Sequence, residues 1–210
     1  MDVRALCCLL KYADCIDPIK EKREEIVELI PKTGNMAGYD QKNRFHCYDL
    51  WDHSLYTVCG LPRGLEDDML YLAALLHDIG KIYMAGELLN KSKLSMTEAE
   101  KELWHNHPKT GASIVKSISE ISDYAEDIKH HHERFDGSGY PDGLVGEDIP
   151  LGSRIIAVAD AYEAMSSERP GREAYPREYI ISELSKCSGK QFDPAVAKAM
   201  MAVIADIETK

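Results

Sequence analysis

The chain has 210 residues, 44% of them hydrophobic and 29% charged, with a formal net charge of −11. That composition suits one globular domain, with or without a small appendage, long enough to bury a real core, and it excludes a wholly disordered chain. The acidic excess removes the electrostatic ground for a duplex-DNA or anionic-lipid binder, and the longest apolar runs, such as Tyr71 to Leu76, fall far short of the roughly 20 residues that span a bilayer.

The periodicity is helical almost throughout. Asp17-Pro18 reads as a helix start, opening a charged helix that runs to about Ile30. After a polar stretch with Gly34 and Gly38, a helical pattern resumes from Tyr48 to Val58. Leu65, Met69, Leu72, Leu76 and Ile79 predict an amphipathic helix ending at Gly80. Thr97 and Glu100 form a capping-box pattern for the next helix, and Pro108 starts another. Ile121, Ala125, Ile128 and His132 predict one more. Residues 133–152 are rich in glycine and proline and predict an irregular ordered loop. Helix resumes from about Ser153 to Ser166, from Pro176 to Cys187 with Gly189 as its stop, and from Asp193-Pro194 onward. No alternating strand pattern or internal repeat appears. The expectation is an all-α fold, a single helical bundle in which residues 1–45 form a helical extension packed on the same core as a domain at 46–210.

The start of the chain, with six apolar residues after Arg4, is too weak for a secretory signal. The six cysteines (Cys7, Cys8, Cys15, Cys47, Cys59 and Cys187) contain no CxxC pair. Their scatter through helical segments predicts buried thiols in a reducing cytoplasm.

All eight histidines lie between positions 46 and 132, a clustering that helix propensity does not explain. Asp49 precedes His53 by one helical turn, His77 is followed directly by Asp78, and His131 and His132 are adjacent. A lone histidine on an apolar face is usually a hydrogen-bonded core residue. A cluster is different: each buried neutral imidazole needs a partner, and one shared cation satisfies several. Imidazole and carboxylate without thiolate favour iron, manganese, cobalt or zinc, and more than four such ligands suggest two ions.

Leu76-His77-Asp78-Ile79-Gly80-Lys81 resembles the HDxGK core of the HD metal-dependent phosphohydrolases. His131-His132-Glu133 followed by Asp136-Gly137-Ser138-Gly139-Tyr140-Pro141 is similar to the signature of their HD-GYP branch. So are Ile149 to Asp160, Ser167-Glu168-Arg169-Pro170 and Gln191-Phe192-Asp193-Pro194. The resemblance covers about residues 46–205. It implies an α-helical phosphodiesterase that hydrolyses cyclic di-GMP or a related cyclic dinucleotide to linear pGpG and then GMP, through a hydroxide bridging two or three divalent metals. Iron or manganese is the implied metal, with zinc, nickel and cobalt compatible. The implied ligands are His53, His77, Asp78 as the bridging carboxylate, His107, His131, His132 and Asp160. Asp49 stands where members with a third metal carry a glutamate. Lys81 would sit beside the scissile phosphate, and Tyr140, Arg169 and Arg172 match positions that contact the dinucleotide. Two forked guanidiniums suit a phosphate and answer the objection from net charge.

Three departures stand out. The spacing from His53 to His77 is shorter than in the family. Glu163 replaces the aspartate expected after Val158-Ala159-Asp160, a longer carboxylate expected to alter dinucleotide contacts. The segment leading to His53 looks more like the HD domain of bacterial tRNA nucleotidyltransferases, which keeps open a general nucleotide or 2′,3′-cyclic phosphate hydrolase. A non-catalytic cyclic-dinucleotide receptor is the third alternative. A protein partner or homodimer is expected to control such a domain, although no heptad seam is present. The bland readings leave His46 and His105 as weak metal candidates, turn His130 to solvent or a helix end, and bury Trp51 and Trp104 in the core.

Overall fold

A computed structural model describes residues 1–12, 16–36, 50–61, 69–89, 91, 93–168 and 172–206. The elements in chain order are α1 (Val3–Tyr12), α2 (Asp17–Glu21), α3 (Arg23–Leu29), α4 (Leu50–Cys59), α5 (Met69–Leu76), α6 (Gly86–Leu89), α7 (Glu98–His105), α8 (His107–Lys116), α9 (Ala125–Lys129), α10 (Leu151–Ser166), α11 (Arg177–Cys187) and α12 (Pro194–Asp206). Short 3-10 turns lie between several of them, and among the described residues there is no strand, while Ser188 and Phe192 form an isolated bridge. The fold is all-α, as expected.

The centre of the bundle is α5. Leu70 through Leu76 are all buried, so this helix has no polar face, and α1, α4 and α9 pack around it. It is shorter than the stripe predicted. The α-helix stops at Leu76, Ile79 opens a 3-10 turn that runs to Tyr83, and Leu65 lies outside the described residues. A helix enclosed on every side shows no stripe, so the apolar spacing could not mark where it ends.

The local signals fare better. Thr97 Oγ1 accepts from Glu100 N at 3.3 Å and Thr97 N donates to Glu100 Oε2 at 2.7 Å, the reciprocal capping box. Asp193 Oδ1 accepts from Ala195 N at 2.7 Å at the start of α12. Gly189 has φ +73° and stops α11 where expected. The charged helix expected from Asp17 to Ile30 is broken at Lys22 into α2 and α3. The helix expected around Ile121 to His132 is a 3-10 turn over Ser119–Tyr124 followed by the short α9.

One hydrophobic cluster joins Leu6 and Leu10 of α1, Ile19 and Ile26, α4, α5, α8, α9, and the inner faces of α10, α11 and α12. Of the described cysteines Cys7 is buried, Cys59 and Cys187 are half-buried, and Cys8 is exposed, which corrects the expectation for Cys8; all four are free thiols. None of the described helices is long and apolar enough to cross a membrane.

Candidate metal centre

Five chain segments deliver the polar cluster. His53 projects from α4, His77 and Asp78 follow the end of α5, His107 opens α8, His131 and His132 follow α9, and Asp160 comes from α10. His77, His107 and His131 share one local device. Each sits within three residues of a helix end, where the last carbonyls have no helical partner. Each donates Nδ1–H to one of them: His77 to Ala74 O at 2.7 Å, His107 to Trp104 O at 2.7 Å, His131 to Ile128 O at 2.6 Å. A carbonyl can only accept, so Nδ1 carries a proton in each ring, and Nε2 is the nitrogen turned to the centre.

Asp78 lies between two sets of imidazoles. Its Oδ1 is 3.2 Å from His107 Nε2 and 3.8 Å from His131 Nε2. Its Oδ2 is 3.3 Å from His53 Nε2 and 3.6 Å from His77 Nε2. Lys81 Nζ also bonds Oδ2, and its ammonium sits 5.3 Å from the centre of the Trp104 ring. Asp160 Oδ1 is 3.2 Å from His53 Nε2. Two donor groups result, Asp78 with His107, His131 and His132, and His53 with His77 and Asp160, each with its ligand atoms within 4.8 Å of one another.

Burial sets the charges. It holds His107 and His132 below the ordinary imidazole range and His131 down at about 3, where the neighbouring His77 and His107 add to the effect. His53 goes the other way: burial opposes its protonation, but Asp160, Asp78 and Glu163 together raise it well above the usual value. Asp78 and Asp160 stay ionised although burial opposes their charge, Asp78 because Lys81 and His77 face it, and Asp160 because His53 and His77 do. The neutral rings of His107, His131 and His132 and the ionised carboxylates are in the protonation states that bind metal, and His53 must give up its second proton to join them.

The donor set passes a physical test for a cation. Nε2 of His77, His107 and His131 and Oδ1 of Asp78 are buried with no hydrogen-bond partner placed for them. Four such atoms spread over two adjoining donor groups are costly unless cations satisfy them. Mixed nitrogen and oxygen donors suit divalent transition metals.

A cavity of about 740 Å³ opens onto this cluster, lined among others by His132, Arg134, Tyr140, Asp160 and Met165. The Tyr140 ring stacks 4.2 Å from His105 and 5.0 Å from His132, and burial pushes its phenol up, so it remains a neutral donor. His105 is exposed and belongs to the cavity wall, outside both donor groups. Arg172 does not line the cavity: its Nη2 donates to Ala164 O at 2.6 Å and Ser167 O at 3.3 Å, and its guanidinium covers Tyr175 at 4.2 Å. Asp49, His46 and Arg169 lie outside the described residues.

Two buried glutamates were not singled out as structural partners by sequence. Glu133 Oε1 accepts from Asp142 N at 2.7 Å and Gly143 N at 3.0 Å, folding the loop beneath Tyr140. Glu163 Oε2 lies 2.9 Å from His53 Nδ1. This corrects its expected role, because Glu163 is buried against a histidine and is absent from the cavity wall. His130 stands at the end of α9, one of its two expected positions, but is buried there: it donates Nδ1–H to Glu126 O at 2.9 Å and places Nε2 3.0 Å from Asp142 Oδ2.

Asp142 thus ties the loop to α9 through Lys129 Nζ at 2.5 Å as well as His130, and these bonds hold its carboxyl down at about 2, below the ordinary 3.8. The folded-state value is the lower one, so this contribution to stability is complete above the ordinary value and lost as pH falls through about 2. Asp142→Asn is expected to be less stable than the parent at pH 7 in urea melts, with the difference closing as pH falls toward that value.

The comparisons with known proteins agree with this architecture. The family model described as HD domain matches residues 56–196, a span that begins just after His53. The chain belongs to the HD domain family. Within it, the motif set is that of the HD-GYP branch. The cyclic di-GMP phosphodiesterase response regulator RpfG of Xanthomonas campestris pv. campestris (strain 8004) is 40% identical over 150 residues, 69% of this chain and 39% of that protein. A cyclic di-GMP phosphodiesterase of Thermotoga maritima is 40% identical over 134 residues, 63% of this chain and 36% of its own. The 3′3′-cGAMP-specific phosphodiesterase 2 of Vibrio cholerae is 33% identical over 154 residues, 72% of this chain and 29% of its own. The chain therefore spans well under half the length of these curated relatives. Bd1817, described as an HDG"Y"P protein from Bdellovibrio bacteriovorus, superposes with TM-score 0.54 and 19% identity over 94% of this chain and 67% of its own, a likeness of fold.

Proposed function

We propose that this chain is a metal-dependent phosphodiesterase that hydrolyses cyclic di-GMP or a related cyclic dinucleotide such as 3′3′-cGAMP. The observation that carries this reading is the Asp78 carboxylate, whose two oxygens face two different sets of imidazoles. Such a carboxylate is suited to bridge a pair of divalent ions, held on one side by His107, His131 and His132 and on the other by His53, His77 and Asp160. Iron or manganese is the proposed pair, with zinc, nickel or cobalt admitted by the same donors. When bound, these ions would polarise a phosphoryl oxygen and acidify water at the phosphodiester.

The chain's own residues supply the rest. Hydrolysis adds water across one P–O bond, and negative charge builds on the phosphoryl oxygens as it breaks. Lys81, buried beside Asp78, places a positive charge at that point without needing to reorganise. Tyr140 with His105 forms an aromatic wall at the cavity mouth for a base, and its protonated phenol donates to a ribose or base acceptor. Arg134, which lines the cavity with Nε bonded to Ser138 Oγ at 2.8 Å, presents a guanidinium edge for the non-scissile phosphate. The free thiols suit a cytoplasmic setting.

The test is anaerobic. Protein loaded with Fe²⁺ or Mn²⁺ is incubated with cyclic di-GMP and, separately, 3′3′-cGAMP, and products are separated by HPLC. Linear dinucleotide or mononucleotide is expected. Two ions bound with no product from either substrate would overturn the reading, and a mononucleotide panel and a binding assay would then separate a general nucleotide phosphohydrolase from a cyclic-dinucleotide receptor.

A further inference from the structure

The four imidazoles that face Asp78 are not held alike. His77, His107 and His131 take their second-nitrogen partner from a carbonyl three residues back, at 2.6–2.7 Å. That arrangement is open to them because each lies just past a helix end, where the last carbonyls have no partner further along the helix. His53 sits inside α4, where the backbone carbonyls are consumed by the helical ladder. Its Nδ1 is met by Glu163 Oε2 at 2.9 Å, from a side chain 2% exposed and 110 residues distant in sequence. Glu163 lies one turn beyond Asp160 on α10, and Asp160 Oδ1 is 3.2 Å from the other nitrogen of the same ring. Helix α10 thus grips both edges of His53. The residues of α10 that line the cavity are Ala157, Asp160, Ala161, Ala164 and Met165, so Glu163 is not positioned to touch a substrate.

A carboxylate behind a ligand histidine does two things that a carbonyl does less well. It fixes the tautomer and ring plane, and its full charge makes the facing nitrogen a stronger donor. We infer that Glu163 is a positioning residue for the metal centre, holding His53 with Nε2 toward Asp78 and making the His53–His77–Asp160 group the more electron-rich of the two. The inference rests on the metal-centre reading above. It gives the two ion positions unequal dependence on one buried residue. Glu163→Gln keeps the size and an accepting oxygen but removes the charge, so it should weaken one position and spare the other.

The experiment is a Mn²⁺ titration of the metal-free full chain against a chromophoric chelator, with melting of the metal-free protein as a second readout. The parent is expected to bind two Mn²⁺. In Glu163→Gln one of the two affinities is expected to fall roughly 10–100-fold, the usual cost of losing such a partner, with the other within about threefold. Glu163→Asp, which restores the charge with a shorter reach, is expected to lose less at the same position. Unchanged affinities in Glu163→Gln, equal losses at both positions, or a loss in Glu163→Asp as large as in Glu163→Gln would overturn the assignment. A parent that binds no Mn²⁺ would instead overturn the metal-centre reading itself and this inference with it.

Discussion

Asp78→Asn is expected to remove metal and to destabilise the metal-free protein, by two separable routes. Asp78 is 1% exposed and Lys81 6% exposed, and they bond one another. Neutralising Asp78 leaves the ammonium buried without its counter-charge, a change that costs about 3–5 kcal/mol. For a chain of this size that corresponds to a fall of the order of 10 °C in melting temperature. The other route runs through the donor groups. Asp78 has an oxygen toward each of them, so both lose a carboxylate they share, and bound Mn²⁺ should fall from two to fewer than one per chain. Turnover of cyclic dinucleotide should drop by at least the roughly 100–1,000-fold that loss of one electrostatic stabiliser costs. Pairing the substitution with Lys81→Met separates the routes. An apolar side chain in place of the stranded cation should recover much of the melting temperature while restoring neither metal nor activity. An Asp78→Asn protein that keeps two ions and its activity would sink the bridging role.

The parts of this molecule that sequence made legible are those written within a few residues. The Thr97–Glu100 box, the Gly189 stop and the Asp193-Pro194 start are local chemistry, and each is found in the fold. The histidine pairs were visible for the same reason: His77-Asp78 and His131-His132 are adjacent, and their neighbours complete recognisable motifs. What stayed hidden depends on contacts across the bundle. Nothing near His53 announces Glu163, which arrives from α10. Nothing near Glu133 shows that it will be buried and turned onto the backbone of Asp142 and Gly143. Arg172 reads as a phosphate ligand by position, yet the end of α10 offers its guanidinium two carbonyls, at Ala164 and Ser167. A residue's type can be read from the chain, but its aim is decided by which helix end lies in front of it.

Gly80 shows the same dependence on distant contacts and carries a comparably large expected effect on folding. A Cβ built on Gly80 falls 2.0 Å from His107 O and 2.7 Å from Gly111 N, both backbone atoms of α8. Backbone has no rotamer to move aside, so the segment bearing His77, Asp78 and Lys81 would have to separate from the one bearing His107. Overpacking in a core costs roughly 1–3 kcal/mol and occasionally more, and Gly80→Ala is expected at or above the top of that range. Against a stability of about 5–15 kcal/mol for a whole domain, that predicts a low yield of folded protein, a melting temperature lower by about 6–12 °C, and loss of the His107-side ion in a Mn²⁺ titration. Gly111→Ala is the informative contrast. Its Cβ would meet Ile128 Cγ2 at 3.3 Å and Gly80 N at 3.4 Å, contacts that a shift of a few tenths of an ångström relieves. Gly111 also lies inside α8, where alanine is favoured over glycine by about 1 kcal/mol. Those two effects nearly cancel, so Gly111→Ala should melt close to the parent and keep both ions. If the two variants melted alike, or in the reverse order, the close approach of these backbones would not be what holds His77, Asp78 and His107 in one centre.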